Sequence, residues 1–351
     1  MDEIRDAPTA SQASEDRRRG RLDAIKAFLS EYAPSPNDDL LSQILITVCR
    51  LSADHVDRGD LKILNTALKE LRYAFKVFAP FRAVPKVTIF GSARTSEEHP
   101  QYVEARRFAD LIQQAGWMVI TGAGDGIMRA GHHGATPQRS FGVAISLPFE
   151  QFTNNIIAND PKLVNFKYFF TRKLMFIKEA NAVVVFPGGF GTQDECFESL
   201  TLVQTVKAAP TPIVLCNEPG GQYWQHWRRY VEKELLANGM VDPADMNLFY
   251  VADRAEDAVA EVLRYYHVYH SCRFVGDQFV IRLNRALPVE TLAEINDTYA
   301  DILSGGRFEQ VDHPLEGEGG AYADKSRLVF SFDRRSAGRL RALINRVNSE
   351  P

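Results

Sequence analysis

The run Ala182-Val-Val-Val-Phe-Pro-Gly-Gly-Phe-Gly-Thr-Gln-Asp-Glu195 constrains the fold of this chain more than any other segment. The apolar stretch Ala182 to Phe186 suits a parallel strand buried on both faces, and Pro187-Gly188-Gly189 cannot prolong it. The chain must turn there. Glycines at 188, 189 and 191 let the backbone come close to a ligand. Thr192, followed by Asp194 and Glu195, reads as the capped first turn of a helix running to about Lys207. A helix N-terminus at the carboxyl end of a strand favours anions, because its unpaired N–H groups and its dipole point at them.

From Pro85 onward, short apolar runs alternate with helical periodicity. Strands are expected at Lys86 to Phe90, Met118 to Thr121, Gly142 to Leu147, Ala182 to Phe186, Pro212 to Cys216 and Leu248 to Val251. Helices are expected over Gln101 to Gln114, Ile127 to Gly134, Lys167 to Glu179, Gln193 to Lys207, Gln222 to Asn238 and Ala255 to Tyr266. That order predicts an α/β fold with a doubly wound, Rossmann-like parallel sheet. Two further strands end in small residues, Gly91-Ser92-Ala93 and Gly122-Ala123-Gly124-Asp125-Gly126. Ligands of open α/β sheets sit outside the carboxyl ends of the strands, so these turns can share one crevice with Gly188 and Gly189. The second turn is GxGxG, not GxGxxG, and follows the second strand of the unit, which argues against NAD. No cofactor is expected. Arg172 and Lys173 lie on the helix before the central strand, where a guanidinium can clamp a planar or bidentate group.

Outside this core the texture changes. Residues 1–20 have almost no large apolar side chains and are expected to be a disordered tail. Residues 21–84 read as a helical extension, with helices over Leu22 to Tyr32, Asp38 to Leu51 and Asp60 to Phe78, and with Phe75, Phe78 and Phe81 as a packing stripe. Residues 85–270 form the Rossmann-like domain. Residues 271–351 are expected to be a small α+β appendage, with strands at Phe274 to Leu283 and Leu328 to Phe332 and helices over Val289 to Leu303 and Ala337 to Val347. It either packs on the main domain or holds a regulatory nucleotide.

A net charge of −4 argues against binding a nucleic acid polymer. The apolar runs are too short for a membrane span, and the polar start lacks a signal-peptide core, so a cytoplasmic location is expected. Cys49, Cys196, Cys216 and Cys272 form no CxxC pair and are expected to be buried apolar thiols. His132, His133, His267 and His270 lack further ligands at metal-binding spacing and are expected at the surface or at helix caps.

Pro187-Gly-Gly-Phe-Gly-Thr-Gln-Asp-Glu195 matches in full the PGGxGTxxE signature of the LOG family, the lysine-decarboxylase-like phosphoribohydrolases, which this chain resembles over roughly Val84 to His270. Arg172-Lys173-Leu174-Met175 resembles the family's RKxxM with one residue fewer before Met. Gly122 to Met128 resembles its glycine-rich second motif, with Ala123 where glycine is usual and Asp125 where proline often sits. The resemblance implies hydrolysis of a nucleoside 5′-monophosphate to free base and ribose 5-phosphate, and a homodimer or higher oligomer. It implies catalytic roles for Glu195 and Arg172. Substrate contacts are expected from Ser92, Gly122, Gly124, Gly126, Lys173, Gly188, Gly189, Gly191, Thr192, Asp194 and Thr201. The alternative is a noncatalytic carrier of a nucleotide or of a phosphate-rich, molybdenum-cofactor-like ligand. Lysine decarboxylation is not expected, because nothing here specifies a pyridoxal phosphate cup around Lys173 or Lys178.

Overall fold

A seven-stranded parallel sheet carries the larger part of the molecule, in the order β4-β3-β2-β1-β5-β6-β7. The strands are β1 Lys86–Phe90, β2 Met118–Thr121, β3 Ser140–Ile145, β4 Leu163–Phe166, β5 Ala182–Val185, β6 Ile213–Cys216 and β7 Phe249–Ala252. These ranges come from a computed structural model that describes residues 10–32, 35–146, 153–320 and 322–350. Leu147, the expected end of β3, lies outside the described residues. Central strands β1, β2, β5 and β6 are buried along their whole length; β5 and β6 read as unbroken apolar runs for that reason, while β1 and β2 also bury Lys86, Thr88 and Thr121. Strand β4 was not anticipated. It is a four-residue edge strand, Leu163-Val-Asn-Phe166, whose Asn165 faces out, and so short a run between Lys162 and Lys167 shows no clear period.

Helices cover both faces of this sheet. On one face α4 (Pro100–Gln114), α5 (Ile127–Ala135) and α9 (Ala255–Tyr265) bury Tyr102, Phe108, Ile127 and Val262 against Val87, Ile89 and Val184. On the other, α6 (Phe169–Lys178), α7 (Phe190–Gln204) and α8 (Tyr223–Tyr230) bring Met175, Phe176, Cys196, Val203 and Trp224 onto Phe90, Val183 and Leu215. The helix expected over Gln222 to Asn238 is interrupted: α8 gives way to a wider π-type turn at Val231–Leu236. Doubly wound parallel architecture follows from strands that must be covered twice.

The chain divides between Leu68 and Lys69 into two compact units. In the first, α1 (Ala10–Tyr32) packs on α2 (Asp38–Ala53). Helix α1 begins upstream of the start expected at Leu22, because Ala, Glu and Arg in this stretch favour helix even without an apolar face. Residues 1–9 of the expected tail lie outside the described residues. Helix α3 (Arg58–Phe78) ends within the second unit, where Phe78 stacks on Phe141 at 4.2 Å and Phe81 meets its edge at 5.2 Å.

The same unit contains an antiparallel four-stranded sheet, order β10-β11-β9-β8. Its strands are β8 Tyr269–Val275, β9 Gln278–Leu283, β10 Leu303–Val311 and β11 Ser326–Phe332. Helices α10 (Val289–Thr298) and α11 (Ala337–Val347) cover one face and enclose Phe279, Leu328, Phe330 and Ile344. The single strand expected over Phe274 to Leu283 is a hairpin: Phe274 and Val275 end β8, the chain turns at Gly276, and Gln278–Leu283 returns as β9. Strand β10 was hidden by Gly305 and Gly306, which weaken strand signals but mark an irregularity in its pairing with β11.

Candidate functional site

Strand order reverses between β1 and β5, and the crevice lies at their carboxyl ends. Three turns interlock there. The Ser92 N–H donates to the Pro187 carbonyl at 3.2 Å, and the Ile127 N–H donates to the Ser92 carbonyl at 3.0 Å. Gly126 has φ of +61°, and a Cβ on it would run into the Ser92 carbonyl and Ala93, so only glycine lets the second turn close on the first. Gly188 is as constrained, since a Cβ there would strike Thr192 and the Ser92 nitrogen. Gly189 and Gly191 differ: apart from their own stretch of chain, no atom of the described residues lies within 4 Å of where their Cβ would be, so they leave open space at the foot of α7.

Helix α7 starts at Phe190 with Gly189 as its cap, not at Gln193 with Thr192 capping. Gly189 takes the extended cap conformation directly after the Pro-Gly turn, so no side-chain cap is required. Thr192 is therefore inside the first turn, buried, and Asp194 lies beyond it. The acidic first turn read from the sequence is absent.

The second turn is fastened by groups that the sequence did not single out. Thr121 Oγ1 accepts from the Ala123 N–H at 3.0 Å and lies 3.0 Å from His132 Nε2. Asn154 Nδ2 donates to the carbonyls of Ala123 at 3.0 Å and Gly124 at 2.9 Å and lies 3.1 Å from His132 Nδ1. Far from being a surface or cap residue, His132 is fully buried, and burial pushes its proton affinity down. A neutral imidazole suits this place, because it can accept on one nitrogen while donating to the Phe141 carbonyl from the other.

Arg172 reaches this same turn. Its Nε donates to the Val143 carbonyl at 2.9 Å, its guanidinium lies over the Phe176 ring at 5.0 Å, and one terminal nitrogen occupies the space a Cβ on Gly122 would need. A Cβ on Gly122 would meet both Arg172 and Met128, whereas one on Gly124 would meet only the flexible end of Met128, which can move aside. Burial disfavours the Arg172 charge and Glu195 offsets part of that loss.

Glu195 is 9% exposed, and its Oε2 has no hydrogen-bond partner among the described residues. Lys173 stands 3.7 Å from that oxygen but is engaged elsewhere, at 2.7 Å from Glu198 and 2.9 Å from Asp194. Burial pushes the Glu195 carboxyl up to about 7; Lys173 pulls against this and Glu198 adds to it. Burial also works against the Lys173 charge, but its hydrogen bonds to Glu198 and Asp194 outweigh the loss and raise it. A carboxyl that exchanges its proton near neutral pH is suited to acid–base work.

The structure gathers Ser92, Gly122, Gly124, Gly126, Arg172, Gly188 and Thr192 through the contacts above, with Gly189 and Gly191 on the open side. Lys173, Asp194 and Glu195 form the adjoining charged cluster. Thr201 is set apart, nine residues along α7 from Thr192 or about 13 Å by helix rise. It lines a cavity of about 90 Å³ with Phe197, Gln204 and Trp227. Glu198 was missed, although its i,i+3 spacing from Glu195 puts both on one helix face. Among the cysteines, Cys196 and Cys216 are buried, and burial pushes the Cys196 thiol up to about 12; Cys49, expected to be buried, is exposed. Among the described residues, no group of three or more His, Cys, Asp or Glu side chains is placed to hold a metal ion, and no helix is long and apolar enough to cross a membrane.

Residues 123–262 match the family model described as "Possible lysine decarboxylase". The chain is similar to that family over this segment, which contains the Pro187–Glu195 motif. No curated protein matches the sequence. Similar solved structures include the Moco carrier protein of Chlamydomonas reinhardtii, 20% identical over 52% of this chain and 96% of that one, with a TM-score of 0.37. Another is the molybdenum cofactor binding protein of Rippkaea orientalis, at 18% identity over 50% and 94% with a TM-score of 0.37. A third is DNA processing protein A of Helicobacter pylori, at 16% identity over 52% and 82% with a TM-score of 0.36.

Proposed function

We propose that the crevice binds a nucleoside 5′-monophosphate and that the protein hydrolyses its N-glycosidic bond. The observation that carries this reading is Glu195: a buried carboxyl with one unpartnered oxygen, near neutral in proton affinity, on the first turns of a helix whose N-terminus faces open glycine backbone. Phosphate would sit against the N–H groups of Gly189 to Thr192, where helix dipole and unpaired donors favour it. Arg172 would hold the sugar or base side, already fixed by Val143. As the glycosidic bond breaks, its electron pair leaves with the base, which takes up a proton from solvent. Water adds to the sugar carbon, and ionised Glu195 stabilises the oxocarbenium character and accepts the water's proton. Base and ribose 5-phosphate result.

The site is built entirely from the Rossmann-like portion, residues 85–270, which is the catalytic domain in this reading. Phe169, Phe170 and Leu174 on α6 and Phe190 and Phe197 on α7 are exposed, Phe190 to 96%, and would pair two copies beside the crevice. Sedimentation showing an active monomer at assay concentration would count against that pairing. The function itself is tested by incubating the protein with a panel of purine and pyrimidine nucleoside monophosphates and chromatographing for free base. Release from at least one is expected. Binding with no release from any would return the carrier reading.

A further inference from the structure

Three carboxylates and two cations meet where α6 faces α7: Asp194, Glu195 and Glu198 from α7, Arg172 and Lys173 from α6. If all five were ionised the group would carry one surplus negative charge. The proton that relieves it belongs on the oxygen with least solvation and no hydrogen-bond donor, which is Oε2 of Glu195. That outcome depends on where the Lys173 ammonium stands. Were it within hydrogen-bond distance of Glu195, it would stabilise the carboxylate strongly in so dry a place. Glu198 prevents this. Its Oε2 takes Lys173 Nζ at 2.7 Å, Asp194 takes it at 2.9 Å from the solvent side, and 3.7 Å remains to Glu195.

We propose that Glu198 is a positioning residue: it draws the Lys173 ammonium off Glu195 and leaves the inner oxygen of that carboxyl without a charged partner, able both to hold a proton and to give it up. The proposal rests on the nucleosidase reading of Glu195 and adds to it a residue outside the nine-residue motif. Asp194 shares the ammonium but is largely exposed, so water can replace it; Glu198 is less exposed and closer. Removing the Glu198 charge has two effects with one sign. Lys173 is released toward Glu195, and a neighbouring negative charge is lost. Both favour the ionised form of Glu195.

The test is a carboxyl ¹³C NMR titration of the full chain, with the Glu195 resonance assigned by its loss in Glu195→Gln. Wild type should titrate at about 7. Glu198→Gln should bring the midpoint down by about one pH unit or more, the size of effect expected when an opposite charge closes on a carboxylate. Glu198→Asp, which keeps the charge, should stay nearer wild type, and Lys173→Met should move the midpoint up. An unchanged or raised midpoint in Glu198→Gln would overturn the proposal, as would a fall in Lys173→Met. The titration needs no substrate. A protein that releases no base would sink the nucleosidase reading alone, whereas an unmoved midpoint in an active enzyme would sink the positioning role alone.

Discussion

Glu195 beside the crevice and Glu318 in the loop between β10 and β11 are both buried carboxylates among basic side chains, 9% and 3% exposed. Their proton affinities are shifted in opposite directions, and the hydrogen bonds explain why. Arg282 Nη2 and Nε approach Oε1 of Glu318 at 2.6 and 2.9 Å; Arg327 Nε and the Leu315 N–H approach Oε2 at 3.0 and 2.8 Å. Burial penalises this carboxylate too, but four donors outweigh the penalty and hold it below its ordinary range. Glu195 is given no donor on Oε2, and its nearest cation is occupied by others. A buried carboxylate saturated with donors is a fastening. One left short of donors is chemically available.

The sharpest way to break this contrast is to remove the fastening. Arg282 and Arg327 are direct cross-strand partners, and Glu318 lies between their like charges. Glu318→Ala would take the shared carboxylate from two buried guanidinium groups, and loss of one partner from such a cluster costs about 3 to 5 kcal/mol. Chemical denaturation should show a loss of that size, while base release per folded molecule stays at the wild-type level. A loss under about 1 kcal/mol would show that the cluster is not a fastening.

The pH dependence of stability should separate the two carboxyls by sign. Between the ordinary carboxyl value of 4.5 and about 7, native Glu195 holds more proton than the unfolded chain, so its contribution to stability falls as pH rises through that window. The Tm of Glu195→Gln relative to wild type should therefore climb from pH 4.5 to pH 7. Glu318, being lowered, contributes stability above its ordinary value and loses it as pH falls through the folded one. The Tm deficit of Glu318→Ala should shrink on acidification. Two deficits or gains moving in the same direction would show that the environments are not opposed.

These two clusters also mark what the sequence could disclose. The Ala182 to Glu195 run, the strands at Lys86 to Phe90 and Met118 to Thr121, and helix Ala337–Val347 were legible because apolar period and glycine turns are local signals. The contacts that set proton affinity are not local. Lys173 and Glu198 are 25 positions apart, and Arg282 and Glu318 are 36 apart. Buried His132 escaped notice for the same reason, since its partners Thr121, Phe141 and Asn154 come from three separate segments. The start of α7 was misplaced because Thr192 and Asp194 look like a cap, while Gly189 already serves as one.

The smallest expected effect belongs to Asp194→Asn. Its carboxylate is 62% exposed and only assists Glu198 in holding Lys173. An exposed pair of this kind is worth about 0.2 to 1 kcal/mol, so steady-state kinetics should find turnover within several-fold of wild type. An inactive but folded Asp194→Asn would move the chemistry one residue upstream.

The most direct test of the account compares turnover and affinity in Glu195→Gln. Glutamine preserves size and much of the hydrogen bonding but cannot exchange a proton. With the best nucleotide of the panel, single-turnover release of base should slow by about 100-fold or more, while nucleotide affinity measured by calorimetry changes far less. A folded Glu195→Gln that releases base at near the wild-type rate would contradict the claim that this unpartnered carboxyl does the chemistry.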